Sequence, residues 1–332
     1  MRHDITLAFW SIAPGVGELR PQPLPAPGQG ELRIRTLYSG ISRGTESLVL
    51  QGRVPPSEFE RMRAPFQEGY FPFPVKYGYA SVGVVEAGPD GWPGRSVFCL
   101  YPHQQRYNLP AEAAVPLPDG VPAARAVLAS NLETAINACW DARPAVGERI
   151  CVIGAGVVGS LVAWLCARIP GTRVVLVDPQ PTRAALAATL GCRFATPEAL
   201  PENTPEAGFD LLFHASGNPA GLTQALTVAG QEARIIELSW YGDRDVELPL
   251  GAGFHARRLR LISSQVGQIP AWCAPRRRHR DRLTLALELL ADPVLDCLIS
   301  GESDFDSLPE TLNRLSIQPA GALCHRIRYP ER

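Results

Sequence analysis

The sequence has almost no net charge, no closely paired cysteines and no long apolar run. Its 332 residues carry a formal charge of −1, so overall charge gives no attraction to nucleic acid or to an anionic membrane. The eight cysteines contain no C-x-x-C pair, which predicts reduced, mostly buried thiols instead of a disulfide framework. No apolar run approaches the length of a bilayer span, and Met1–Asp4 leads into a strand-like segment instead of a signal peptide. We therefore expect a cytoplasmic protein with no membrane partner.

An apolar run that ends in a glycine loop organises the middle of the chain. Residues 150–159 read Ile-Cys-Val-Ile-Gly-Ala-Gly-Val-Val-Gly, which predicts a strand, a tight turn and a helix. The first glycine permits the turn, the second lets backbone approach a pyrophosphate, and the third lets the helix pack on the strand. A diphosphate would bind at the amino terminus of that helix. The predicted cofactor-binding residues of this segment are Gly154, Gly156, Val157, Val158 and Gly159.

A glycine turn alone also occurs in other α/β units, so it does not by itself identify a dinucleotide site. An acid at the end of the next predicted strand supports this interpretation. Asp178 follows the strand 173–177 and stands nineteen residues past Gly159, where dinucleotide folds place an acid on the adenosine ribose. Arg183 lies five residues farther along, where it would stack on adenine or meet a 2′-phosphate. Because Asp178 would repel that phosphate, the sequence favours NAD over NADP.

The first 130 residues differ in character from the middle of the chain. Short β-like runs, such as 32–35 and 80–85, are separated by clusters of proline and glycine, a pattern typical of all-β structure. The proline-rich segment Pro21–Gly28 is predicted to be a loop. The length and the 45% hydrophobic content allow two domains, each with its own core.

Helical periodicity begins near residue 131 and is followed by alternating strands and helices. Such alternation predicts a parallel sheet covered by helices. One more helix is expected near 283–290, and the chain finishes in the strand-like segment 324–329. We expect this last segment to return to the first domain.

Several motifs beyond the glycine loop make the chain resemble the medium-chain dehydrogenase/reductase superfamily over nearly its full length. They are Gly40–Glu46, Tyr77–Gly83, Pro116–Gly120 and Val146–Gly147. The resemblance implies an α/β protein with a Rossmann doubly wound parallel sheet plus a GroES-like β-rich catalytic domain, and a substrate cleft at their junction. It places the GroES-like domain at residues 1–130 and 264–332, and the Rossmann domain at 131–263.

The resemblance also implies roles for three residues outside the loop. Ser216 and Ser239 fall where members of the superfamily line the cofactor site after the fourth and fifth strands. Thr134 falls where a threonine of the superfamily packs behind the nicotinamide ring. A homodimer that acts on a small-molecule substrate is expected.

The departures from the superfamily concern zinc. Zinc-dependent members have three ligands: a cysteine, a histidine and, as the third, either a cysteine or a glutamate. At these positions, in the same order, this chain has Ser42, Tyr79 and approximately Ser130. Hydroxyl groups are poor zinc ligands beside thiolate, imidazole or carboxylate. The four-cysteine lobe that holds structural zinc is missing, since the run 99–105 continues directly to Tyr107. We therefore expect no metal site and no zinc.

Without zinc, a hydrogen-bonding acid must stabilise the charge on the substrate oxygen. Tyr79 is the first candidate, with a role as space-filling aromatic as its alternative. His103 is second, with a surface-loop histidine as its alternative. Glu46 is third and corresponds to an acid that supports the metal site in zinc members; without metal it would pair with Arg43. Ser42, at a lost ligand position, completes the predicted catalytic set with Thr134. Glu133 is predicted to face either the cleft or solvent.

A basic cluster at 276–282 would suit an anionic substrate or nucleic acid. A solvated loop is the alternative. The balanced charge and the absence of a recognition helix or aromatic platform argue against a nucleic-acid partner.

The sequence therefore predicts an NAD-dependent oxidoreductase without zinc that interconverts alcohols and carbonyls. The motifs at 42–46 and 131–135 look most like the branch with bacteriochlorophyllide hydroxyethyl dehydrogenases and threonine dehydrogenase-like proteins. A quinone or enoyl reductase is the first alternative. A dinucleotide-binding sensor or structural protein without catalysis is the second.

Overall fold

The computed structural model describes residues 4–318 and 321–330. Met1–His3, on which the expectation about a signal peptide partly rests, lie outside the described residues. The strands are β1 (Asp4–Ala13), β2 (Val16–Leu24), β3 (Glu31–Ile41), β4 (Glu68–Gly69), β5 (Val75–Lys76), β6 (Ser81–Ala87), β7 (Ser96–Cys99), β8 (Arg106–Pro110), β9 (Ala114–Pro116), β10 (Arg149–Ile153), β11 (Arg173–Val177), β12 (Arg193–Ala195), β13 (Phe209–His214), β14 (Ala229–Glu237), β15 (Arg260–Ser263), β16 (Ile299–Asp304) and β17 (Cys324–Arg328). The helices are α1 (Arg43–Leu50), α2 (Ala123–Ala126), α3 (Ala129–Ala142), α4 (Val157–Cys166), α5 (Arg183–Thr189), α6 (Leu200–Asn203), α7 (Pro219–Val228), α8 (His279–Leu289) and α9 (Leu308–Ile317). In this part of the chain, no helix has the length and apolar character needed to cross a bilayer.

The chain forms two compact units. The β-rich unit comprises Met1–Ser130 and Leu283–Arg332, and the α/β unit comprises Asn131–Arg282. Residues 264–282, which the sequence assigned to the GroES-like domain, thus group with the α/β unit. Arg282 gives the physical reason, because its guanidinium is tied within this unit to Glu133 and to the carbonyl of Val266.

Two sheets build the β-rich unit. One has the strand order β2-β1-β5-β4, and the other has the order β16-β17-β3-β6-β7-β9 with β8 also paired to β3. Alternate residues of β3, such as Leu32 and Ile34, are buried in a common core with Val85 and Val97, as expected for a strand with one face inside. The final strand β17 pairs antiparallel with β3. The predicted return of the last segment to the first domain is therefore confirmed.

The prediction that Pro21–Gly28 is a loop is wrong for its first half. Pro21 and Pro23 belong to β2 and lie opposite Leu7 and Ile5 of β1. β2 is at the edge of its sheet, where a proline that lacks an N–H group can face away from the neighbouring strand. The proline content indicated a loop, but edge position makes these residues compatible with a strand.

A parallel six-stranded sheet forms the centre of the α/β unit, with the order β12-β11-β10-β13-β14-β15. The central strand β10 is buried almost throughout, and α4 and α7 both pack on it. A strand covered on both faces needs a continuous apolar run, which is what residues 150–153 supply. Strand order reverses between β10 and β13, and such a reversal opens the crevice in which α/β sheets bind ligands.

Candidate functional site

The glycine loop lies between β10 and α4, at the point where the strand order reverses. Gly154 has a φ of +109°, and a Cβ on it would lie 2.7 Å from the backbone nitrogen of Ser216. A Cβ on Gly159 would lie 1.9 Å from the carbonyl oxygen of Gly154. Both positions therefore exclude any side chain unless backbone moves.

The remaining glycine of the loop faces open space. Gly156 is the N-cap of α4, and no heavy atom lies within 4 Å of the position that its Cβ would occupy. Among residues 4–318 and 321–330, no side chain caps the amino terminus of this helix, so its first-turn N–H groups are available to an anion. Val157 and Val158, both half-buried, form that first turn. The backbone here can accommodate a diphosphate.

Asp178 follows β11 and contacts the glycine loop directly. One carboxylate oxygen accepts the N–H of Ala155 at 3.0 Å, and the other accepts the N–H of Gln180 at 3.0 Å. An ionised carboxylate has about four acceptor positions, so capacity for ribose hydroxyls remains. Arg183 is half-buried at the start of α5, five residues beyond Asp178.

Ser216 and Ser239 follow β13 and β14, and the structure brings both to one histidine that the sequence did not single out. His214 Nε2 lies 2.6 Å from Ser216 Oγ, and His214 Nδ1 lies 3.3 Å from Ser239 Oγ. Nδ1 is also 2.8 Å from a carboxylate oxygen of Glu237. The overlooked signal was a titratable residue at the last position of each of two neighbouring strands, directly after the apolar runs 211–213 and 235–236.

In the β-rich unit, the four candidate residues that the sequence placed near the lost zinc site form one hydrogen-bonded cluster. Tyr79 donates its hydroxyl proton to Ser42 Oγ at 2.7 Å. The backbone N–H of Ser42 donates to one Glu46 oxygen at 2.7 Å, and His103 Nε2 lies 2.9 Å from the other. Glu46 is buried at the first turn of α1, where the helix dipole favours its negative charge.

His103 is 1% exposed, so the alternative of a surface-loop histidine is wrong. Its Nδ1 lies 2.7 Å from Ser39 Oγ, which in turn lies 3.0 Å from the hydroxyl of Tyr329. Nε2 faces the carboxylate of Glu46 and must carry a proton to form that contact. In the neutral imidazole Nδ1 accepts from Ser39, and Ser39 can then accept from Tyr329. Ser39 and Tyr329, absent from the predicted site, thus complete the hydrogen bonding of His103.

The electrostatics of this cluster keep its phenols protonated. Burial, together with the nearby charge of Glu46, raises the pKa of the Tyr79 hydroxyl to about 12. Burial likewise raises the pKa of Tyr77, whose ring meets that of Tyr79 edge-on at 5.8 Å. Tyr79 is therefore a hydrogen-bond donor throughout the neutral pH range.

Glu133 and Thr134 lie on α3 in the α/β unit. Glu133 is buried and forms an ion pair with Arg282 at 3.0 Å, so it does not face solvent. Burial raises its pKa, and Arg282 opposes that rise. Thr134 is half-buried. Of the basic cluster, Arg276–Arg278 and Arg280 are exposed, as a solvated loop predicts, but Arg282 is an interior residue.

Metal ligands are not grouped in the described residues. Residues 4–318 and 321–330 contain no group of three or more histidine, cysteine, aspartate or glutamate side chains that could hold a metal ion. At two of the superfamily's zinc-ligand positions, the hydroxyls of Tyr79 and Ser42 bond to each other. The eight cysteines are free thiols, and five of them are buried.

Three proteins found by comparison with known proteins are all dehydrogenases. The chain is 30% identical over 236 residues to 2-desacetyl-2-hydroxyethyl bacteriochlorophyllide A dehydrogenase of Rhodobacter capsulatus, covering 66% of this chain and 68% of that protein. It is 28% identical over 152 residues to L-threonine 3-dehydrogenase of Xanthomonas campestris, covering 44% and 42%. The solved structure of L-idonate 5-dehydrogenase from Escherichia coli matches with a TM-score of 0.81 at 17% identity, over 98% of this chain and 99% of that one. No protein-family model matches. The predicted fold class is confirmed.

Proposed function

Because the chain belongs to the medium-chain dehydrogenase/reductase superfamily as an alcohol-dehydrogenase-like oxidoreductase, we propose that it transfers a hydride between NAD and an alcohol or carbonyl without catalytic zinc. The cluster of Tyr79, Ser42, Glu46 and His103 carries this proposal. Tyr79 and Ser42 supply hydroxyls at two positions where zinc members have metal ligands, and Glu46 and His103 are hydrogen-bonded to this pair in series. A small-molecule substrate follows from this reaction. The homodimer and the cytoplasmic location stay predictions from the sequence.

The α/β unit has residues that suit each part of the dinucleotide. Gly156 and the first turn of α4 would hold the diphosphate, and Asp178 would accept the adenosine ribose hydroxyls. The carboxylate of Asp178 is the reason to propose NAD, because a 2′-phosphate would bring like charges together. When bound, nicotinamide supplies the carbon that accepts or releases the hydride.

Tyr79 is proposed as the group that donates a hydrogen bond to the substrate oxygen. Its raised pKa keeps the proton in place at neutral pH. In this structure that proton is donated to Ser42 Oγ, so on substrate binding it would turn to the substrate oxygen while Ser42 donates its own proton to Tyr79. Glu46 and His103 would then orient Ser42 and set the local charge. A positioned acid of this kind contributes about 10²- to 10⁴-fold to rate.

The zinc-free part of the proposal has its own support. A catalytic zinc ion needs three protein ligands drawn from cysteine, histidine and carboxylate. Here Glu46 and His103 face each other as a hydrogen-bonded pair, and the neighbouring candidates are hydroxyls. This donor set does not suit zinc, so no step is assigned to a metal.

A substrate screen tests the proposal against its alternatives. Purified protein is incubated with NAD and a panel of primary, secondary and polyhydroxy alcohols, and in parallel with NADH and a panel of enones and quinones, with absorbance at 340 nm as the readout. Turnover of alcohols is expected. Turnover confined to enones or quinones would replace the proposal with reduction of a C=C bond or quinone. Tight binding of NAD with no turnover of any panel would indicate a sensor.

A further inference from the structure

Lys76 is the only lysine in the chain, and it is buried. The sequence has 32 lysine and arginine residues together, so every other residue of these two types is an arginine. Lys76 ends β5 and is 1% exposed, whereas lysine is almost never fully buried unless it is paired. The one position at which this chain has lysine instead of arginine is therefore an interior site.

Three acceptors surround the ammonium group of Lys76. Its Nζ donates to Gln104 Oε1 at 2.7 Å and to Gln22 Oε1 at 3.2 Å, and it also donates to a carboxylate oxygen of Glu68. The ring of Tyr101 adds a cation–π contact, with its centroid 5.5 Å from Nζ. An ammonium group has three N–H donors, so the number of acceptors equals the number of protons.

This arrangement suits lysine and not arginine. A guanidinium group spreads five donors over a planar fork, whereas an ammonium group is a compact charge on one nitrogen. Burial lowers the pKa of Lys76, and the hydrogen bond and charge of Glu68 oppose that fall. A buried charge costs free energy unless it is paired and hydrogen-bonded, so the ammonium group holds its three partners close together.

The ammonium group joins two segments that carry candidate catalytic residues. One is the Tyr79 segment (76–79), in which Lys76 is the first residue. The other is the His103 segment (103–105), in which Gln104 directly follows His103. A Cβ on Gly78, whose φ is +122°, would lie 2.8 Å from His103 Cδ2. The backbone that leads to Tyr79 thus passes against the imidazole ring.

The backbone of the His103 segment is held by other elements. The carbonyl of His103 accepts the N–H of Phe9 at 2.9 Å, and the carbonyl of Gln104 accepts the hydroxyl of Thr36 at 2.5 Å. These bonds attach the segment to β1 and β3. The bond from Lys76 to the Gln104 side chain attaches it to the Tyr79 segment.

The remaining partners of the ammonium group belong to the edges of the four-stranded sheet. Gln22 is in β2 and Glu68 is in β4, the two edge strands. Gln22 Nε2 also donates to Glu68 at 3.1 Å. Lys76 therefore has one partner beside the candidate catalytic residues and two partners away from them, which allows its roles in positioning and in stability to be separated.

We propose that Lys76 is a positioning residue whose ammonium group holds the Tyr79 segment against the His103 segment and so sets where Tyr79 and His103 lie in their cluster with Ser42 and Glu46. At 1% exposure it meets neither substrate nor cofactor. The kinetic part of the proposal rests on the proposed function. The placement of His103 is measured without turnover.

A single lysine makes the ammonium group directly observable by NMR. Protein grown with lysine that is labelled with ¹⁵N at the side-chain nitrogen should give one signal, which needs no assignment. At neutral pH we expect the shift of a charged ammonium group whose protons exchange slowly, because they are buried and hydrogen-bonded. A neutral amine, or an ammonium group in fast exchange with water, would contradict the proposal.

Two matched variants separate positioning from stability. Gln104→Met and Gln22→Met each remove one acceptor from the same ammonium group, so both should lower Tm. Only Gln104→Met should also shift the ring signal of His103 and lower kcat, by about 10-fold with NAD affinity unchanged, because a displacement of a catalytic group by about 1 Å costs up to about 100-fold in rate. The His103 signal is the histidine signal that is absent from His103→Asn.

Conservative and disruptive replacements of the pair give a second comparison. Gln104→Glu and Gln104→Met both lose the donor to the Arg106 carbonyl, but only glutamate keeps an acceptor for Lys76, so Gln104→Glu should retain more turnover. Lys76→Met should shift the His103 signal as Gln104→Met does, and Lys76→Arg should not restore it. If thermal denaturation shows that Lys76→Met does not fold, the two Gln104 variants, which keep the ammonium group, decide.

The outcomes separate this inference from the proposed function. If Gln104→Met leaves the His103 signal and kcat unchanged, or if Gln22→Met lowers kcat equally, Lys76 only stabilises the fold and the inference is overturned, while the proposed function stands. If the wild type turns over no alcohol or carbonyl, the proposed function fails, and the His103 signal still decides the role of Lys76.

Discussion

The two units of the molecule build their candidate sites from different material. In the α/β unit the diphosphate site is backbone, and its defining residues lie within the six positions from Gly154 to Gly159. In the β-rich unit the site consists of side chains from distant segments: Tyr79 and Ser42 are 37 positions apart, His103 and Ser39 are 64 apart, and Tyr329 and Ser39 are 290 apart.

The diphosphate site is therefore specified by residues close together in the sequence, and the β-rich cluster is specified by contacts between distant residues. A loop whose function is to let backbone approach a ligand needs glycines at fixed spacing, and that requirement is visible in the sequence. A buried polar cluster needs partners that satisfy each donor and acceptor, and those partners come together only when strands find their register. Variants should therefore separate two functions: the β-rich cluster affects the chemical step, and the loop affects cofactor affinity.

Tyr79→Phe should lower turnover more than any other variant proposed here. If turnover did not fall, the comparison between the catalytic β-rich unit and the cofactor-binding α/β unit would be wrong. The change keeps the ring but removes the proton, so turnover should fall by about 10²- to 10⁴-fold while NAD affinity stays unchanged. Steady-state kinetics and NAD titration measure the two quantities. Tyr70→Phe, at a 73% exposed tyrosine of the same unit, is the control.

His103→Asn is the companion variant. It should lower turnover less than Tyr79→Phe does, because His103 acts through Glu46. If Tyr79→Phe retained turnover within about threefold of wild type, well short of the loss of an essential acid, while His103→Asn was inactive, the two residues would exchange roles.

Alkaline pH should destabilise the β-rich unit more than the α/β unit. Seven of the eight tyrosines are in the β-rich unit, and burial raises the pKa of Tyr79 to about 12. Below pH 10 both folded and unfolded Tyr79 are protonated. Between about pH 10 and 12 only the unfolded form ionises, so the free energy of unfolding should fall, by at most about 2–3 kcal/mol for this residue.

Urea unfolding from pH 8 to 11.5, with hydrogen exchange to assign the unit that opens, measures this effect. Tyr79→Phe should lessen the fall in unfolding free energy. A free energy that stays constant to pH 11.5, or a fall of equal size in the variant, would contradict the assignment.

Asp178→Ala should lower the affinity for NAD without slowing the chemical step, and this would sharpen the comparison between the two units. Loss of the carboxylate removes the acceptor for the adenosine ribose and releases the N–H of Ala155, so NAD should bind about tenfold more weakly. Discrimination against NADP should shrink, because the repulsive charge is gone. A wild-type preference for NADPH in direct titration would show that the ribose assignment is wrong.

Chelation should have the smallest effect. Because the hydroxyls of Ser42 and Tyr79 occupy ligand positions of zinc members, purified protein should contain far less than one zinc ion per chain. EDTA should leave turnover and Tm unchanged. Elemental analysis that finds stoichiometric zinc would remove the zinc-free proposal and redirect the search to Glu46, His103 and Cys99.

The sequence by itself determined the parts that depend on short spacing. The continuous apolar run of β10, the glycine loop and the acid after β11 follow from local periodicity and from backbone geometry that only glycine satisfies. The superfamily resemblance, which the relatives confirm, followed from motifs of the same short range. Proline content, by contrast, indicated a loop where Pro21–Leu24 form an edge strand.

Tertiary structure alone decided which polar side chains meet. It placed His103 in the interior between Glu46 and Ser39, joined His214 to Glu237 across two strands, and buried Arg282 against Glu133. Each of these contacts joins residues of separate elements, and a buried charge is tolerated only where such partners are present. A sequence displays the residue types, but the register of the strands and the packing of the helices determine their partners.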